Sequence, residues 1–263
     1  MGRDGSTSKN RFLAGLRARP ARCQYGLWCS IPSPITAEIC AGSGFDWMLL
    51  DMEHAPSDVK DVYAQLQATS AYPVSCIVRP PSNDVVAIKR LLDIGAQTLL
   101  IPFVQSAAEA EAAVAAAAYP PHGVRGLTMS SRANGFGRDR GYLEEGVREI
   151  AIVVQIETRA GLANLEAIAA VPGLAAVFIG PSDLSADMGH LGNGEAPAVR
   201  EAIVQAAAKL RERDMPWGIL VGTPESAQFY TGHGASFVGV GADQTLLRKA
   251  SDALAERFGR TPT

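Results

Sequence analysis

Short apolar, β-branched runs recur along the chain and alternate with longer, alanine-rich stretches whose apolar residues repeat at helical spacing. The runs read as strands at QYGLWC (24–29), WMLLDM (47–52), VSCIVRP (74–80), TLLIPFV (98–104), AIVVQIET (151–158), AAVFIG (175–180), PWGILV (216–221) and SFVGVG (236–241). Between them PITAEICAGSG, VVAIKRLLDIG, SAAEAEAAVAAAAYP, RAGLANLEAIAAV and AVREAIVQAAAKLRERD carry the helical pattern. Several of these close on Gly or Asn-like breakers, as helix C-termini do. Near-continuous apolar strands that alternate with helices imply parallel pairing covered on both faces. Eight such units predict an α/β fold of the (β/α)8 TIM-barrel type. A doubly wound sheet competes, but no G-x-G-x-x-G follows the first strand. One connection is anomalous: about 46 residues separate the fourth and fifth strands, far beyond a normal crossover. After a helix around Glu109 it runs through YPPHGVRGLTMSSRANGFGRDRGYLEEG, a composition suited to an ordered excursion over the barrel mouth or across a subunit contact.

Length and composition are compatible with this picture. The 263 residues suit one barrel domain, 11–263, behind a disordered tail, 1–10, and 47% hydrophobic residues can fill it. The start matches the loose Met-Gly-x-x-x-Ser acylation pattern, a short match that arises easily by chance. Net charge is −3 with no long basic run, so neither a nucleic-acid nor an anionic-membrane partner is expected. No apolar segment reaches the roughly 18 residues of a membrane span, and the start lacks the apolar core of a signal peptide. Cys23, Cys29, Cys40 and Cys76 form no C-x-x-C pair and read as reduced core cysteines of a cytoplasmic protein.

In a barrel of this kind the chemistry sits at the C-terminal strand ends. In order these carry Trp28, then Asp51, Glu53 and His54, Arg79, Gln155 and Glu157, and Asp183 in GPSD. Leu220, Val221, Gly239 and Gly241 offer shape without charge. Glu157 and Asp183 end successive strands, and Gln155 shares the Glu157 face. Two such carboxylates suit a hard divalent cation completed by water; a surface carboxylate and a helix N-cap from Ser182 or Asp183 would also explain them. Arg79 can hold a carboxylate or neutralise developing negative charge, or form a structural ion pair. His54 is a general base or a satisfied structural histidine; His122, His190 and His233 lie in loops. Trp28 is core or substrate contact. The five lysines (Lys9, Lys60, Lys89, Lys209, Lys249) lie in the tail or in helix-patterned segments. No strand end therefore offers an amine for a Schiff base, and keto-acid chemistry would need a metal as electron sink.

From about residue 12 to 259 the sequence resembles the HpcH/HpaI aldolase family, in GLW, GFDWMLLDMEHAP, VRP, IKRLLDIGAQTLLIPFV, YPPHGVRG, VQIETRAGLANL, FIGPSDLSADMGHLGN and VGVGAD. RANGFG and GPSDLSADMGHLGN look closest to its keto-deoxy-glucarate aldolase branch, and much else to its 4-hydroxy-2-oxoheptanedioate aldolase branch. The resemblance implies Mg²⁺, Mn²⁺ or Co²⁺ on Glu157 and Asp183, no organic cofactor, and pyruvate chelating that metal. It implies that Arg79 stabilises the enolate and that Gln155 and the Ser182 backbone amide contact the pyruvyl unit. His54 would move protons through a metal-bound water, Asp93 would raise its basicity, and Asp51 would be a further acid near the site. It also implies a homo-hexamer, a trimer of dimers exchanging the last helix around Thr245 to Phe258. Two departures stand out: Met52 where many relatives have glycine, and WCSIPSP in place of a small, serine-rich loop.

The expected activity is reversible cleavage of a 4-hydroxy-2-oxo acid to pyruvate, or a close 2-oxo acid, and an aldehyde. The aldehyde pocket would be set by Trp28, the 29–35 loop, Leu220, Val221 and residues 122–142. Oxaloacetate decarboxylation or CoA-thioester cleavage through the same enolate is the alternative, although the arginines at 125, 132, 138 and 140 are scattered for a CoA groove. A barrel that binds a keto acid without turnover is a third reading.

Overall fold

The computed structural model describes residues 9–18 and 22–262. Strands β1 (Gln24–Cys29), β2 (Trp47–Asp51), β3 (Ser75–Arg79), β4 (Thr98–Ile101), β5 (Ala151–Ile156), β6 (Leu174–Ile179), β7 (Trp217–Leu220) and β8 (Phe237–Ala242) form a closed barrel in chain order. All eight pairings are parallel. The helices are α1 (Arg11–Arg17), α2 (Pro34–Ala41), α3 (Val59–Ala68), α4 (Val85–Asp93), α5 (Ala107–Ala117), α6 (Arg159–Ala163), α7 (Leu165–Ala169), α8 (Pro181–Asp187), α9 (Pro197–Glu212), α10 (Pro224–Gly232) and α11 (Asp243–Arg257). The barrel expected from the alternation is the one observed. Among the described residues no helix is long and apolar enough to cross a membrane.

Alternation along the strands sorts side chains into two cores. Leu27, Met48, Leu50, Val78, Leu99, Ile101, Val154, Ile179, Ile219 and Val238 face the helices. Trp28, Trp47, Leu49, Ile77, Leu100, Val153, Ala176, Phe178 and Phe237 fill the interior. The barrel is narrow: a Cβ on Gly26 would lie 2.1 Å from the Trp47 ring, so the indole occupies space that only glycine leaves. The segment 11–17, for which the pattern predicted nothing, forms α1 and packs Phe12 and Leu16 against this interior. Asn10, expected in the tail, is instead buried as the N-cap of α1; its side chain accepts from the Leu13 N–H at 3.1 Å and donates to Thr98 Oγ1 at 2.9 Å. The rest of the tail through residue 8, including the acylation pattern, lies outside the described residues.

On the opposite face, sharp strand-to-helix turns are fixed by N-caps. Ser33, Asp58, Asp84, Ser106, Thr158 and Thr223 each accept from a backbone N–H of the helix that follows. Several expected strands are trimmed by a residue or two at their ends, and two expected elements change more. RAGLANLEAIAAV breaks at Asn164 into α6 and α7. TLLIPFV stops pairing at Ile101, because Pro102 has no N–H to donate and Phe103 turns to φ +56°.

The long excursion is ordered, but its anchors are not at the mouth. Arg132 donates to Ile94 O at 2.8 Å and Leu66 O at 3.3 Å, and the Ala133 N–H donates to Asp93 O at 3.1 Å. Arg125 is buried against Asp93 (2.8 Å) and the rings of Tyr119 and Tyr142. These contacts lie at the C-terminal ends of α3 and α4, which deliver the chain to the N-terminal ends of the strands. These anchors of the excursion therefore lie away from the site face. The last helix is also atypical. Only Asp243 of α11 is buried, while Leu246, Leu247 and Leu254, and Phe258 just beyond it, stay exposed.

Candidate active site

Asp51 and Arg79 are register partners on β2 and β3, both at strand ends and both aimed inward. Arg79 Nε donates to Asp51 Oδ1 at 2.8 Å and Nη2 to Oδ2 at 2.6 Å, the bidentate fork that suits a guanidinium and a carboxylate. Trp28 Nε1 donates to Asp51 Oδ2 at 3.2 Å, and the Glu53 backbone N–H to Oδ1 at 3.1 Å. The guanidinium also lies 4.8 Å from the centroid of the Trp28 ring. Burial pushes the Asp51 carboxyl up, but the Arg79 hydrogen bonds and charge, with those from Trp28 and Glu53, outweigh it and hold it below the usual carboxylate range. Trp28 is thus a core residue that also orients the pair.

Glu53 closes the other side of the arginine. Its Oε2 is 2.7 Å from Arg79 Nη1, yet buried and off the line of any hydrogen bond, so the contact is a charge contact. Burial raises the Glu53 carboxyl, Arg79 and His54 oppose, and Asp51 and Asp183 push it further up. His54 Nε2 stands 3.7 Å from Glu53 Oε2 with its side chain 62% exposed. It is placed to meet a substrate or water at the rim.

Glu157 follows β5 and is almost fully buried. Its Oε1 accepts from the Phe103 backbone N–H at 2.9 Å, and its Oε2 accepts from Gln155 Nε2. Burial, reinforced by the neighbouring charges of Glu53 and Asp183, pushes its carboxyl up to about 7 despite those bonds. Gln155 Oε1 is buried without a hydrogen-bond partner among the described residues. Gly180, directly after β6, makes this packing possible: a Cβ there would lie 2.7 Å from Glu157 Oε2 and 3.0 Å from Gln155 Nε2. Asp183 and Ser182 sit exposed in the first turn of α8. Neither caps that helix, which has no side-chain N-cap. Helix geometry accordingly leaves the Ser182 N–H without an intrahelical acceptor. Leu220, at the end of β7, is half-buried against the interior cluster.

The structure therefore gathers Trp28, Asp51, Glu53, His54, Arg79, Gln155, Glu157, Ser182, Asp183 and Leu220 on one rim. It does not bring Asp93 there. Asp93 ends α4 and pairs with Arg125, at the barrel end opposite His54, so within one chain it cannot tune that histidine. Sequence reasoning missed three contributors: Gly180, the Phe103 amide and the Trp28 indole as a donor. The glycine closing FIG was a usable signal, because invasive side chains need such a gap; an amide at a left-handed phenylalanine leaves none. Two cavities of about 380 and 280 Å³ open beside α1 at the other end of the barrel, and none of the rim residues lines them.

Among the described residues no three His, Cys, Asp or Glu side chains converge to hold a metal ion by themselves. The arrangement still suits one. Glu157 and Asp183 are oxygen donors, and the repulsion felt by the buried Glu157 is the kind that a divalent cation relieves, with substrate and water completing its shell. The described lysines all lie in helices or in the segment before α1, none at a strand end.

Comparison with known proteins gives a consistent result. The sequence profile of "HpcH/HpaI aldolase/citrate lyase" matches residues 24–250. The chain is 51% identical over 249 residues to a pyruvate aldolase from Rhizobium etli, covering 95% of this chain and 97% of that protein. It is 49% identical over 256 residues to a 4-hydroxy-2-oxo-heptane-1,7-dioate aldolase from Escherichia coli, covering 97% of each. A crystal structure of an HpcH/HpaI aldolase/citrate lyase family protein from Burkholderia cenocepacia superposes with a TM-score of 0.90 at 38% identity, covering 94% of this chain and 99% of that one.

Proposed function

The chain belongs to the HpcH/HpaI aldolase/citrate lyase family and is a carbon–carbon lyase, and from that premise we propose that it is a divalent-metal-dependent aldolase. It would cleave a 4-hydroxy-2-oxo acid reversibly to pyruvate, or a close 2-oxo acid, and an aldehyde. The observation that carries this reading is the pairing on one rim of Glu157, a buried carboxylate raised to about 7 among its acidic neighbours, with Arg79, a guanidinium locked by Asp51. Glu157 and Asp183 would hold the cation, Mg²⁺ or Mn²⁺ by donor type, with Co²⁺ tolerated. When bound it would polarise the 2-oxo group and stabilise the enolate as a Lewis acid.

The chain's own residues would do the rest. His54, on the exposed rim, takes the C4 hydroxyl proton. The C3–C4 bond then breaks, the aldehyde leaves, and the electron pair passes into the enolate. Arg79 keeps its orientation through Asp51 and Trp28 and sets positive charge beside the developing oxygen. The Ser182 N–H at the start of α8 is free to meet the substrate carboxylate. A proton returned to C3 completes pyruvate. A role for Asp93 at His54 would require the aspartate of another subunit. The exposed leucines of α11 support exchange of that helix within a homo-oligomer, for which the hexamer is the family expectation. The four cysteines are free, which accords with a reducing, cytoplasmic setting.

Arg125 is engaged by Asp93 and Arg132 by backbone carbonyls, which weakens a CoA-binding reading. Oxaloacetate decarboxylation remains a side activity compatible with the same enolate. The test is pyruvate release from a panel of hydroxy-keto acids varying in chain length and distal carboxylate, with and without chelator. Chelation should abolish release, and borohydride with pyruvate should not inactivate the protein. Turnover that survives chelation would overturn the proposal.

A further inference from the structure

We propose that Phe103 is a positioning residue for Glu157, acting through a backbone amide that only its left-handed conformation presents. The inference rests on the metal reading above. Phe103 has φ +56°, a region that a bulky L-residue rarely adopts. Its N–H donates to Glu157 Oε1 at 2.9 Å. Its side chain gives the fold little in return, being 53% exposed between buried Pro102 and Val104. The strain therefore needs another explanation than packing.

The surroundings over-determine this turn, the condition under which strained backbone persists. The Val104 N–H donates to Gln155 O at 3.0 Å, returning the chain to β5 directly after Phe103. Thr158 Oγ1 donates to Gln105 Oε1 at 3.1 Å, and Asn164 Nδ2 donates to Gln105 O at 2.8 Å. The β4–α5 turn is thus pinned to β5, to the residue that caps α6 and to the α6–α7 junction. With Gln155 on Oε2 and the Phe103 amide on Oε1, both Glu157 oxygens are fixed before any cation arrives. A donor already aimed at a ligating carboxylate costs no reorganisation when the metal binds.

Full-length Phe103→Gly, Phe103→Val and Phe103→Ala variants separate backbone from ring. Glycine adopts positive φ freely, whereas valine, branched at Cβ, is strongly disfavoured there. Mn²⁺ affinity measured by calorimetry should stay within about threefold of wild type for the glycine variant. It should fall about 10- to 100-fold for the valine variant, as for lost outer-shell partners of a metal site. Alanine should fall between, and it keeps the comparison open if the valine variant fails to fold. Pyruvate release by the valine variant should be recovered by raising Mn²⁺, with kcat restored at saturation. Equal Mn²⁺ affinity for the glycine and valine variants would overturn the proposal, whether both match wild type or both are weak; in the latter case the ring would be what matters. A wild-type protein that binds no Mn²⁺ would overturn the metal reading and this inference with it, a result distinguishable from the others.

Discussion

Replacing Glu157 by glutamine should stabilise the metal-free protein, increasingly so as pH rises from about 4.5 to about 7. The carboxyl is buried, and burial among Glu53 and Asp183 raises it from the ordinary 4.5 to about 7. Between these values the folded protein keeps a proton that the unfolded chain has released. Stability therefore declines as pH rises from about 4.5 and levels off above about 7. At about 1.4 kcal/mol per pH unit, the shift amounts to a penalty of about 3 kcal/mol when fully expressed. Glutamine has nearly the same shape, never ionises, and keeps an acceptor for the Phe103 N–H. Urea unfolding in chelator, at fixed protein concentration, should show the glutamine variant about 2–3 kcal/mol further ahead of wild type at pH 8 than at pH 5. Adding Mn²⁺ at pH 8 should narrow the gap, because binding would stabilise only the protein that still has its ligand. A stability difference independent of pH would refute the reasoning.

Two other substitutions probe the site's supports. Asp51→Asn removes the charge that compensates a buried arginine, and should cost about 3–5 kcal/mol in urea unfolding while abolishing pyruvate release. A loss below about 1 kcal/mol would mean that Glu53 alone satisfies Arg79. Gly180→Ala places a Cβ 2.7 Å from Glu157 Oε2, and should weaken Mn²⁺ binding at least about tenfold in calorimetry with an unchanged far-ultraviolet spectrum. Unaltered affinity would show that the carboxylate has room to move.

Much of this protein was legible without coordinates, for reasons of periodicity. Apolar strands of the right length alternating with helices admit few architectures, and the side-chain period of two places Gln155 with Glu157, and Asp51 with Glu53, on one face. The rim residues could therefore be named strand by strand. The sequence also determined that no strand end carries a lysine, because every lysine falls outside the strands. Helix ends, by contrast, depend on caps and on neighbours: the break at Asn164 and the early end of β4 at Pro102 were local events that periodicity passes over.

What the tertiary structure decided was which charges compensate which. Asp51, only a further acid near the site as far as the sequence goes, becomes the clamp of Arg79 because β2 and β3 pair in register. Asp93, one helix away in sequence, lands at the other end of the barrel, because a crossover helix ends where the next strand begins. The raised Glu157 carboxyl arises from closure of the barrel, which buries it beside Glu53 and Asp183 from distant segments. The Phe103 amide depends on a backbone angle that its residue type disfavours. Pattern along a chain selects elements and their faces. Electrostatic partners are chosen through space, at distances that only the closed barrel sets.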